Sequence, residues 1–155
     1  MKDAHVRPVV PADLPALKTV IESSDLFPPE MLGEMVAGYF DGDEASGFWL
    51  TYDEGGGPIA VAYCAPERMT VGTWNLYLIA IHASYQGRGV ATLLMGYIER
   101  LLRKRGERVL IVETSSLEGF EQTRAFYRKL GYDEEARIRE FYAPSEDKVI
   151  FRKVL

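Results

Sequence analysis

The 155-residue chain has a single cysteine, Cys64, and only two histidines, His5 and His82. One cysteine excludes an intramolecular disulfide framework, and the three residues together make no His/Cys metal cluster, which leaves only an all-carboxylate site open to composition. No apolar run approaches the ~20 residues that cross a bilayer. The opening Met1-Lys2-Asp3-Ala4-His5, with Pro8 and Pro11 close behind, is too polar for a signal peptide. The expected compartment is therefore the cytoplasm, with no membrane partner. Positive charge is scarce as well: 18 basic against 23 acidic residues leave a net charge of −5. That balance argues against a nucleic-acid partner, because phosphate backbones reward clustered cations. No repeat, low-complexity tract or long linker divides the sequence, so 1–155 reads as a single domain. At this length the folded chain buries about 70% of its unfolded surface and needs no staple.

What is present is a clear alternation of periods. Residues 6–10 suit a short strand, and Asp13 a helix N-cap before the stripe Leu14, Leu17, Ile21. A second helix is expected over 30–40. Two short apolar runs, 48–52 and 59–64, flank the Gly-rich stretch 53–58 and predict a hairpin. Residues 74–81 are almost wholly apolar, as in a strand covered on both faces. Val90, Leu93, Leu94, Tyr97, Ile98, Leu101 and Leu102 then repeat at helical spacing, closed by Arg103-Lys104-Arg105 and Gly106. A strand over 109–115, a helix over 120–130 and strands over 132–142 and 149–155 complete the order. This is an α/β layer domain with a parallel crossover in its second half.

Gln86-Gly87-Arg88-Gly89-Val90-Ala91 lies between the buried strand and the strongest helix. Such a turn presents free backbone N–H groups at the positive end of a helix dipole, which suits a pyrophosphate. Alone it is equally a tight helix-start turn. A P-loop would need Gly-Lys-Ser/Thr where Val90-Ala91-Thr92 stands. A dinucleotide fingerprint would need Gly or Ala at Thr92.

Gln86-x-x-Gly89-x-Ala91 after Leu76-Tyr77-Leu78-Ile79-Ala80-Ile81 resembles the acetyl-coenzyme A signature of the GCN5-related N-acetyltransferases (GNAT). Downstream, Ala125-Phe126-Tyr127-Arg128-Lys129-Leu130-Gly131-Tyr132 is similar to that family's tyrosine-bearing helix end. The resemblance implies a single-domain acyl-CoA N-acyltransferase fold, a mixed central sheet with helices on both faces. It also implies acetyl transfer from acetyl-CoA to a primary amine, on a small molecule or a peptide, without a metal. Backbone groups of Ile79, Ala80 and Ile81 would hold the pantetheine arm in a gap beside strand 109–115. The turn Gln86, Gly87, Arg88, Gly89, Val90, Ala91, with Thr92, would hold the pyrophosphate.

Tyr127 falls at the family's general-acid position, where a phenol can protonate the leaving thiolate; an ordinary helix tyrosine would merely pack on the sheet. Asn75 stands where many members place a Glu base, and could orient the acceptor or a water. Glu113, on the next strand, is the candidate base, or else a strand-end carboxylate paired with a surface cation. The first helical pair, around Leu26, Phe27 and Met31, and the last two strands, around Phe141 and Tyr142, would shape the acceptor pocket. Cys64 reads as a core residue and His82 as structural. A coenzyme-binding sensor or assembly module without turnover is the alternative, motivated by Asn75. An exposed last strand would suit a homodimer.

Overall fold

A computed structural model describes residues 2–155. Seven strands form one sheet: β1 (Val6–Pro8), β2 (Phe48–Asp53), β3 (Pro58–Pro66), β4 (Thr73–Ile81), β5 (Val109–Ser115), β6 (Asp133–Ala143) and β7 (Glu146–Val154). Their spatial order is β1-β2-β3-β4-β5-β7-β6, and only β4 and β5 run parallel. Helices α1 (Leu14–Ser24) and α2 (Leu32–Phe40) cover one face, and α3 (Val90–Lys104) and α4 (Glu121–Lys129) the other. Each face has its own core because the strand residues alternate. In β2, Trp49 joins the α1/α2 core, whereas Phe48 and Leu50 join the α3/α4 core. The expected mixed sheet with helices on both faces is thus the fold. No helix among the described residues is long and apolar enough to cross a membrane.

Three departures from the sequence pattern have local causes. Asp13 stands at the N-cap position of α1, yet its carboxylate accepts no hydrogen bond from that helix. It accepts instead from the Val10 N–H at 2.9 Å and from both terminal nitrogens of Arg7, at 2.7 and 2.9 Å. The segment expected to begin α2 at Glu30 is first a tighter turn, Pro29–Met31, entered from Pro28. The last hairpin turns over only Pro144 and Ser145, with Ser145 left-handed at φ 65°. Its acidic residues enter β7 because they are bound: Glu146 accepts from Ser115 Oγ, and Asp147 from Arg137 and the Glu140 N–H.

Strand β4 positions the site. It pairs with β5 only from Thr73↔Val109 to Leu76↔Val112, and beyond that the two strands diverge. At the same point β4 carries one extra residue. Tyr63↔Leu78 is followed by Cys64↔Leu76, so Tyr77 is an unpaired bulge. The bulge reverses the alternation: Leu76 faces the α3/α4 core, whereas Leu78 and Ala80 face the α1/α2 core. The strand expected to be covered on both faces is therefore open here, with the Tyr77 side half-exposed.

Candidate active site

The divergence of β4 from β5 opens a cleft of two chambers that share Leu26, Ile79, Thr123 and Tyr127. The first, about 500 Å³, runs along Ile79, Ala80 and Ile81 to the turn before α3. Those three residues pair with β3 on one edge and face the gap on the other. Gln86, Gly87, Gly89, Val90, Ala91 and Thr92 all line it. Gly87 and Gly89 have φ of 78° and 81°, a conformation that suits glycine, and nothing lies within 4 Å of where a Cβ would stand. Helix α3 has no side-chain N-cap, and its first internal bond runs from the Leu93 N–H to the Gly89 carbonyl. The preceding N–H groups of its first turn are therefore available to an anion. Gln86 braces the turn by donating from Nε2 to the Ile81 carbonyl at 3.2 Å. Arg88 does not line the chamber; its guanidinium lies over the Tyr85 ring at 5.1 Å. This donor-rich, glycine-permitted cradle fits a pyrophosphate, and the open strand edge fits an amide-bearing arm.

The second chamber, about 380 Å³, lies beyond Tyr127. Its walls include Tyr77, Glu113, Phe120, Tyr142 and Glu146. Glu113 is paired with Lys148, whose Nζ stands 3.2 Å from its Oε1 and 3.5 Å from the centre of the Phe141 ring. Tyr142 reaches the chamber because β6 bulges: residues 139–142 oppose Asp147 alone, and Glu140 takes φ 51°. Burial, Glu113 and Glu146 all raise the proton affinity of Tyr142.

Tyr127, at the junction, is only 3% exposed and is packed against Phe126, Tyr132 and Phe151. Burial pushes its pKa well above the ordinary phenol value, so it is a neutral O–H donor at physiological pH. Its place is set by the chain reversal after α4. The Tyr132 N–H returns to the Tyr127 carbonyl and the Gly131 N–H to the Arg128 carbonyl, with Gly131 at φ 90°. Arg124, buried on the same helix, donates to the carbonyls of Ser115 and Leu117 at 2.6 and 2.9 Å and so ties α4 to the end of β5.

Besides Arg88, two residues expected on the acceptor side lie elsewhere. Phe27 packs against the α1/α2 core, because Asp25 closes α1 in the left-handed region (φ 53°) and the exposed Leu26 takes the cleft position. Asn75 is buried in β4 and lines neither chamber; its Nδ2 donates to Glu67 Oε1 at 3.0 Å. Glu67, just beyond β3, was not legible as a site residue. The same oxygen accepts the Tyr77 hydroxyl at 2.5 Å. Among the described residues no group of His, Cys, Asp and Glu is arranged to hold a metal ion.

The sequence model of the acetyltransferase (GNAT) family matches residues 17–132. The chain belongs to this family. A solved GNAT-family protein from Desulfovibrio desulfuricans is 29% identical, with a TM-score of 0.90 over 96% of this chain and 97% of its own. The ribosomal-protein-S18-alanine N-acetyltransferase of Escherichia coli is 21% identical, with a TM-score of 0.78 over 96% and 92%. An aminoglycoside 6′-N-acetyltransferase solved with coenzyme A is 16% identical, with a TM-score of 0.72 over 96% of each chain. The last two share the fold. No curated protein matches the sequence. The GNAT match runs from α1 through the phosphate-type turn to the end of the Tyr127 helix, and Tyr142 and Glu146 of the second chamber lie beyond it.

Proposed function

We propose that this GNAT acetyltransferase moves an acetyl group from acetyl-CoA to a primary amine by direct transfer. The observation that carries this is the continuity of the cleft: one buried tyrosine, Tyr127, borders both the chamber that ends at the phosphate-type turn and the acidic, aromatic chamber beyond it. The coenzyme supplies the acetyl thioester. The N–H groups of the turn from Gln86 to Thr92 bind its pyrophosphate, and the free edge of Ile79–Ile81 orients its arm. Tyr127 holds a proton on Oη for the leaving sulfur. Because a thiolate is a weaker base than this phenolate, Tyr127 acts first as a hydrogen-bond donor to the developing charge. Glu113 and Glu146 make the acceptor chamber attractive to a protonated amine, and Tyr77 and Tyr142 offer it aromatic faces. Holding the amine beside the thioester supplies proximity.

Thiol release from acetyl-CoA, measured with an alanyl peptide, an aminoglycoside and simple alkyl amines, tests the proposal. The first two follow the acceptors named for the E. coli and aminoglycoside enzymes. Amine-dependent release with formation of the N-acetyl product is the expected result. Tight coenzyme binding without turnover on any amine would instead identify a binding module.

A further inference from the structure

An amine that is protonated in solution must lose a proton before it attacks, and the chamber needs a group to take it. Of the two acidic side chains that line the acceptor chamber, Glu113 is engaged by Lys148 and Glu146 accepts from Ser115 Oγ. Glu67 is differently placed. One of its oxygens gathers both Asn75 Nδ2, at 3.0 Å, and the Tyr77 hydroxyl, at 2.5 Å. Glu67 does not border the chamber, whereas Tyr77 does.

The tyrosine is held firmly. It is the bulge residue of β4, and its ring stacks on Tyr63 at 5.6 Å, which stacks in turn on the buried Trp49 at 4.4 Å. The Asn75 amide has one possible orientation toward an acceptor-only carboxylate, and it leaves its own Oδ1 buried without a partner. That arrangement leaves one buried oxygen unsatisfied while the amide holds Glu67.

We infer that Tyr77 and Glu67 form a two-member proton relay that deprotonates the acceptor. The acceptor ammonium gives a proton to Tyr77 Oη as the Tyr77 proton passes to Glu67 Oε1. The amine is left neutral with its lone pair free, Tyr77 is again a neutral phenol, and Glu67 is a carboxylic acid that later returns its proton to solvent. The second N–H proton lost on forming the amide balances the one the coenzyme sulfur takes up. Tyr77 touches the acceptor and is the catalytic member; Glu67 acts through it as a positioning and proton-accepting residue.

The groups around Tyr77 agree with a phenol that stays protonated between turnovers. Burial, Glu67, Glu113 and Tyr63 each raise its proton affinity. Lys148 stands behind Glu113, and Tyr142, Glu146 and Tyr127 complete the ionisable lining.

The relay rests on the amine-transferase function proposed above, and its test separates the two. The wild type, Glu67→Gln, Tyr77→Phe and Glu113→Gln are assayed for kcat/KM from pH 6 to 10 on whichever amine of the panel turns over fastest. Coenzyme A affinity, measured by calorimetry, reports the fold of each variant. Glu67→Gln still accepts the Tyr77 hydrogen bond but is not a base, and Tyr77→Phe keeps the stacked ring.

For both variants kcat/KM is expected to fall about 100-fold at pH 7 and to return to within about threefold of wild type once the amine is deprotonated by solvent. Three results would overturn the relay alone: unchanged profiles, a uniform loss at every pH, or a profile moved by Glu113→Gln but not by Glu67→Gln. A wild type that turns over no amine would overturn the transferase function and the relay with it.

Discussion

At the scale of single residues, Tyr127 and Asp13 are both buried polar side chains, and they do opposite things. Tyr127 has an aromatic surround and borders both chambers. Tyr127→Phe keeps the ring packing and removes only the donor. Its expected effect is a fall in kcat of about 10²–10³-fold, with coenzyme A affinity within about twofold, read by thiol release and calorimetry; equal kcat values would remove Tyr127 from the mechanism. Asp13 is saturated by Arg7 and the Val10 N–H, and Arg7 also donates to Asp53 at 3.0 Å, tying β1 to β2. The Arg7 hydrogen bonds, outweighing burial, hold the Asp13 carboxyl below the usual carboxylate range. A depressed carboxylate pKa stabilises the fold above the unfolded value and loses that contribution as pH falls through the folded one. Asp13→Asn is therefore expected to cost about 1–2 kcal/mol at pH 7, the partial exposure of Arg7 moderating the figure. In denaturant titrations that difference should shrink below about pH 4, and a gap that stayed constant down to pH 2 would show that the ion pair contributes nothing.

At the scale of elements, the site depends on how two of them end. Helix α4 stops at Gly131, whose left-handed φ of 90° lets the Tyr132 N–H fold back on the Tyr127 carbonyl. A Cβ there would meet only Cε and Nζ of Lys153, both at 3.9 Å, so space is not the constraint and backbone conformation is. Gly131→Ala is expected to destabilise by about 1–2 kcal/mol through that φ alone. It should also lower kcat, because it shifts the turn that seats Tyr127; a thermal melt and thiol release on one preparation read both effects. Gly131 was legible in the sequence as the stop of this helix because the chain reversal favours glycine there, whereas the place of Tyr127 came from the family resemblance. The α3 stripe and the glycine turn were legible for the same reason: each is a local pattern with a local cause. Strand β4 was legible as a strand but not as a bulged one. Tyr77 sits inside an apolar run, and nothing in Leu76-Tyr77-Leu78 marks which residue lacks a partner across β3. Glu67 and Arg124 escaped notice because their roles depend on strands and helices distant in sequence. Of the residues expected around the pocket, Leu26 reaches the cleft because Asp25, a non-glycine, adopts the left-handed turn before it, and the same turn leaves Phe27 against the α1/α2 core.

At the scale of the whole molecule, the sheet is nearly two sheets. The strands β1 to β4 form one antiparallel half and β5, β7 and β6 the other, and across the junction β4 and β5 share only the register from Thr73↔Val109 to Leu76↔Val112. Beyond Leu76 the backbone edges of both strands face the cleft, and α3 and α4 bridge it from one side. A ligand that lies between the strands thus touches both halves, and its binding energy adds to the cohesion of the fold. Any ligand specific for the folded state stabilises it by about 2.7 kcal/mol at a hundredfold excess over Kd. For a chain of this length that corresponds to a rise in Tm of about 5–10 °C. Coenzyme A is expected to produce that rise, and the amide protons of Leu78, Ile79, Ala80 and Ile81 should exchange more slowly with it bound. Protection confined to the turn at 86–92, with β4 exchanging as before, would mean that the coenzyme docks only through its phosphates and leaves the gap between the two half-sheets open.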